Sequence, residues 1–178
     1  MEEKAKASFW KPALIYGAIL GVVGILVAVV LYILNVQFKS WAWVVSVLIS
    51  ISVITYCLRA YRNEYLGGFA SYGKLLLMTL AIAVISSLLT LAYTYALVNY
   101  VDKDYVEKAK QVTIEKMSEN PRITEAQLDT IIERIETKTT KASTVKRSLI
   151  AGVIFTFIIG LVASAFLKKE ENPISNTA

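Results

Sequence analysis

The chain has 178 residues, 56% of them hydrophobic and 19% charged, with a formal net charge of +5 and no histidine. With no histidine and a single cysteine, Cys57, it can form neither an internal disulfide, nor a zinc set of the Cys/His kind, nor a Cys–His nucleophile pair. No cofactor and no metal are expected. Nor does the positive charge point to nucleic acid, because the basic residues flank apolar runs, where lipid headgroups and topology account for them.

Four apolar runs without an internal charge follow one another at Ala13–Leu34, Trp41–Leu58, Leu75–Val98 and Leu149–Leu167. A bilayer core of ~30 Å needs about 20 apolar residues at ~1.5 Å rise each, and all four runs approach or exceed that length. In lipid the backbone must satisfy its own hydrogen bonds, so the runs are read as helices. The first has a basic flank, Met1–Lys11, but it is too long for a signal peptide and no A-x-A cleavage pattern follows it, so it reads as a retained span. The expectation is one all-α integral membrane domain over 1–178: a four-transmembrane-helix bundle with an amphipathic two-helix insert between spans 3 and 4.

The turn Asn35–Ser40 is short and makes the first two spans antiparallel neighbours. Trp41 and Trp43 after it suit a membrane interface. The insert, Asp102–Arg147, holds ten Lys/Arg against nine Asp/Glu. Asp104 with Glu107 forms a capping-box pattern for a first helix, whose apolar stripe is Tyr105, Ala109 and Val112, with Val106 and Met117 beside it. Asn120-Pro121 ends it. Thr124 and Gln127 repeat the pattern, and Leu128, Ile131, Ile132 and Ile135 then fall on one helix face. That face can serve a self-packed hairpin, the membrane surface or a partner. The tail from Lys168, with Pro173 and small polar residues, has the composition of a disordered segment. Basic residues near the span ends favour cytoplasmic termini by their density, although Lys146 and Arg147 before the fourth run oppose this.

Small residues line one face of each run. In the fourth, Ser148, Gly152, Thr156, Gly160 and Ser164 recur every four residues. The first carries Gly17 and Gly21, continued by Gly24 and Ala28. The second offers Ser46, Ser50 and Cys57, the third Ala83, Ser86, Ser87, Thr90 and Thr94. Such faces let helices approach closely in lipid, either inside one bundle or across a homodimer.

Acid–base chemistry and proton relays need carboxylates, histidines or other ionisable groups in position, and the spans carry none. The most distinctive local sequence is Tyr61–Lys74. It places Tyr61, Tyr65, Phe69 and Tyr72 around the Gly67-Gly68 break, with Arg59, Arg62 and Lys74 near the single acid Glu64. One reading is a site for an anionic lipid or polyprenyl phosphate. The other is an aromatic belt with positive anchoring.

Tyr61, Arg62, Asn63, Glu64, Tyr65, Leu66, Gly67, Gly68, Tyr72 and Gly73, with the opening Phe9-Trp10-Lys11-Pro12-Ala13-Leu14-Ile15-Tyr16-Gly17, resemble a family of short bacterial membrane proteins catalogued as domain of unknown function 4199. The resemblance runs along the whole chain. Asn63 stands where the family motif often has Asp, so a second carboxylate is missing. The resemblance implies four spans, a charged insert before the last and the bacterial inner membrane, and it carries no activity. The expected role is a non-enzymatic structural or accessory subunit, with membrane lipids and a membrane-protein partner or second copy as its contacts. Two alternatives stand beside it: an anionic-lipid or polyprenyl-phosphate accessory to envelope glycosyltransfer, and a homodimeric small-solute channel or transporter.

Overall fold

A computed structural model of the chain describes residues 9–121 and 123–169. The basic flank ahead of residue 9 and the tail beyond Lys169 lie outside the described residues. Helix α1 spans Trp10–Ile33, α2 Ser40–Ala60, α3 Tyr72–Ala96, α4 Tyr105–Ser118, α5 Glu125–Lys138 and α6 Lys141–Leu167. Single π-helical turns extend α2 through Tyr61–Tyr65 and α3 through Leu97–Val101. Four of these helices are long and apolar enough to cross a membrane, so the protein is a multi-pass membrane protein. Among the described residues there are no strands, only one isolated bridge between Ala70 and Lys169.

Helix ends differ from the expected bounds for local reasons. Asn35, at φ 55°, takes the left-handed conformation that ends α1. Helix α2 runs on past Leu58, because nothing in Arg59–Tyr65 breaks it before Gly67 and Gly68, at φ 65° and 88°. Helix α6 begins eight residues ahead of the apolar run. Thr140 Oγ1 accepts from the Ser143 amide at 3.2 Å, and Ser143 Oγ accepts from the Thr140 amide at 2.8 Å. Lys146 and Arg147 therefore lie inside that helix rather than before it. Asp104 makes no side-chain cap on α4. Asp102 instead holds the N-cap residue, its Oδ1 accepting from the Asp104 amide at 3.1 Å. At α5, Gln127 Oε1 accepts from the Thr124 amide at 3.1 Å.

The spans are apolar all round, so hydrophobicity cannot choose their inner faces. Side-chain size does. Leu26, Leu48, Leu77, Leu88, Ile154 and Phe166 face outward. Helix α3, the most buried span, packs between α1 and α6, and α2 closes the ring against both. A Cβ on Gly17 would lie 2.7 Å from Ile85, and one on Gly21 would lie 2.6 Å from Leu89. Rising together in number, these pairs make α1 and α3 parallel. Gly152 faces Ser87 and Gly160 faces Thr79, so α6 runs antiparallel to α3. Both glycine faces are thus occupied by α3 within a single chain.

Packing is uneven along the bundle. Near the chain termini, Ile54, Cys57, Leu58, Leu75, Met78 and Ile82 are at most 1% exposed and form a solid core. Toward the insert the helices part. There Gly24, Ser46, Thr90, Thr94 and Ser148 border a cavity of about 560 Å³. Each small-residue ridge is divided in this way, its half near the termini packing and its half near the insert lining open space.

Candidate functional site

The Tyr61–Lys74 segment closes the packed end. Arg62 Nη1 donates to the Leu167 carbonyl at 3.0 Å, one of the acceptors that the last turn of α6 leaves unpaired. Arg62 Nε also donates to Asn63 Oδ1 at 3.0 Å. Two residues beyond Leu167, the amide and carbonyl of Lys169 pair with those of Ala70 at 3.0 and 2.9 Å. The turn that brings Ala70 there uses the positive φ of Gly67 and Gly68, and the Gly68 amide donates to the Arg62 carbonyl at 2.9 Å. Tyr16 on α1 donates its hydroxyl to Glu64 Oε2 at 3.0 Å and meets the Tyr65 ring edge-on. Tyr65 in turn leans on buried Tyr61. The segment is a clasp joining all four spans.

The structure therefore separates the residues singled out in this loop. Tyr61, Arg62, Glu64, Tyr65, Gly67 and Gly68 belong to the clasp. Arg59 and Lys74 stay exposed, as do Lys11, Lys168 and Lys169, and Tyr72 is half-buried at the start of α3. Lys169 also lies over the Phe69 ring, 5.1 Å from its centroid. Tyr16, the partner of Glu64, was not legible as such, because nothing in the spacing links residues 48 apart.

The opposite end carries a second polar cluster. Asp102, only 7% exposed, accepts from Lys108 Nζ at 2.9 Å and from the Tyr32 hydroxyl at 3.3 Å. Lys116 Nζ donates to the Phe38 carbonyl at 2.7 Å, and Phe38 packs on Tyr105. Helix α4 is thereby pinned over the α1–α2 turn. The hydrogen bond from Lys108 holds the Asp102 carboxyl below the ordinary carboxylate range, and the same bond raises Lys108. The contribution of Asp102 is complete above its unfolded value and disappears as pH falls through the lowered one. That of Lys108 is complete below its unfolded value and disappears as pH rises through the raised one. Hydrogen exchange of residues 105–118, taken relative to the intrinsic amide rate at each pH, should therefore stay slow from about pH 5 to about pH 9 and quicken in strong acid. Asp102→Asn should quicken it at neutral pH, and unchanged exchange in that variant would remove the carboxylate from the account.

The cavity lies under this cluster, between all four spans. Tyr32, Gln37, Tyr93, Tyr105, Thr144 and Arg147 mark its mouth, and Leu20, Val23 and Val53 its floor. Its hydroxyls are oriented by their own helices. Ser46, Ser50, Thr90, Thr94 and Thr144 each donate to the carbonyl four residues earlier. Their donors are thus spent locally, and apolar side chains set the character of the inner wall. The sequence offered one signal of this site, the gathering of Tyr32, Tyr93, Tyr105 and Arg147 at the same end of four small-residue faces.

Among the described residues no cluster of His, Cys, Asp and Glu could hold a metal ion. Comparison with known proteins matches residues 15–169 to the family described as Protein of unknown function (DUF4199), and the chain belongs to that family. No curated protein and no solved structure matches it.

Proposed function

We propose that this member of the DUF4199 family is a non-enzymatic accessory or structural subunit of the bacterial inner membrane, with both termini cytoplasmic, acting by contact with another membrane protein. The observation that carries this reading is helix α5. None of its residues is buried, and its main packing partner is α4. Leu128, Ile131, Ile132 and Ile135 keep an apolar stripe partly uncovered outside the membrane helices. Affinity capture after cross-linking in native membranes should recover a defined protein that the double variant Ile131→Glu, Ile135→Glu fails to recover. Equal recovery by the variant, with the bundle intact, would reject the stripe as the contact.

A second reading is favoured by the cations left exposed once the clasp is made. Lys11, Arg59, Lys74, Lys168 and Lys169 lie at the ends of the four spans, where phosphate headgroups sit, whether of anionic lipid or of polyprenyl phosphate. Arg59→Gln with Lys74→Gln should weaken retention of phosphatidylglycerol in native mass spectrometry, and unchanged retention would remove this reading.

A further inference from the structure

The cavity at the insert end has the polarity profile of one membrane leaflet. Along α1 it runs from Leu20 to Leu31, which is about 16 Å at ~1.5 Å per residue, or half of a ~30 Å hydrocarbon core. Its floor at mid-membrane is apolar, formed by Leu20, Val23 and Val53, and it is stopped there by the solid core around Ile54 and Met78. Its mouth lies at headgroup level. Among the described residues that border it, Arg147 is the one formally charged side chain and none is a carboxylate. A volume of about 560 Å³ is in the range of small-molecule sites.

We infer that the cavity binds a single-chain lipid with an anionic headgroup. The chain lies along the apolar wall toward Leu20, and the anionic group meets Arg147. The site is distinct from the cation ring, which lies at the other end of the bundle. It does not rest on the subunit reading either.

Gly24 gives the cleanest test. Unlike Gly17 and Gly21, it has nothing within 4 Å of where a Cβ would stand, and it borders the cavity. Gly24→Leu therefore fills the site without meeting a packed neighbour. Ala28, one turn nearer the mouth, also borders the cavity, and Ala28→Leu is a second, independent filling variant. The full chain, purified in neutral detergent, is titrated with palmitoyl-lysophosphatidylglycerol, palmitoyl-lysophosphatidylcholine and two-chain phosphatidylglycerol, with occupancy read by native mass spectrometry. The expected result is one lysophosphatidylglycerol per chain, bound more tightly than lysophosphatidylcholine. Gly24→Leu and Ala28→Leu should each weaken binding about tenfold or more, and Arg147→Gln should abolish the preference between the two headgroups. Unchanged binding in both filling variants overturns the proposal, as does a wild type that takes only the two-chain lipid or shows no preference for the anionic head.

Discussion

Gly160→Leu should be among the most damaging single substitutions in the spans. A Cβ at Gly160 would run into the Thr79 side chain, and Thr79 cannot turn aside freely. It is fully buried, and its hydroxyl is committed to the Leu75 carbonyl at 3.0 Å. Overpacking of this kind costs about 3 kcal/mol, since the two helices must separate or abandon their rotamers. Equilibrium unfolding in mixed detergent, followed by circular dichroism, should show a lowered midpoint. Gly24→Leu, facing open space on α1, should shift it by no more than about 0.5 kcal/mol. Thr79→Ala makes room, so Gly160→Ala should be tolerated better with it than alone. A Gly160→Leu protein that unfolds like wild type would mean that α3 and α6 do not meet there.

That contrast between glycines shows where the sequence was legible and where it stopped being so. Length and lack of charge identified the four spans, because lipid leaves the backbone few choices. The four-residue recurrence of Gly152, Thr156, Gly160 and Ser164 marked the face that α6 turns to α3, where the last three are buried. Periodicity reports which residues share a face, however, and says nothing of how far along that face a neighbour follows. Gly17, Gly21 and Gly24 read as one ridge, yet only the first two are covered. The same applies to Thr90 and Thr94, which read with Ser86 and Ser87 but border the cavity. The clasp was legible as an unusual loop and not as a joint, because its partners, Tyr16 and Leu167, are 48 and 105 residues away in the chain. Around Tyr61–Lys74 the sequence offered either an anionic-lipid site or an aromatic belt with positive anchoring, and the geometry commits Arg62 to the Leu167 carbonyl while Arg59 and Lys74 stay exposed.

Arg62 is where the two uses of that loop can be told apart, and Arg62→Ala is expected to destabilise the bundle in the absence of any anionic lipid. Its guanidinium is half-buried and satisfies the Leu167 carbonyl, at the point where α6 ends and the chain crosses to pair with Ala70. A hydrogen bond from a charged donor, discounted for partial exposure, is worth about 1 to 2 kcal/mol. Its removal also leaves the end of α6 held mainly by the two bonds between Ala70 and Lys169. Thermal unfolding in a neutral detergent should therefore begin at a lower temperature, with earlier protease cleavage after Lys168 or Lys169. Arg62→Lys should recover only part of the loss, because an ammonium lacks the planar fork that serves Leu167 and Asn63 together. A headgroup ligand behaves differently: its loss leaves lipid-free stability unchanged and lowers lipid retention instead. If Arg62→Ala melts like wild type in neutral detergent yet sheds phosphatidylglycerol, the clasp assignment fails and Arg62 returns to the cation ring.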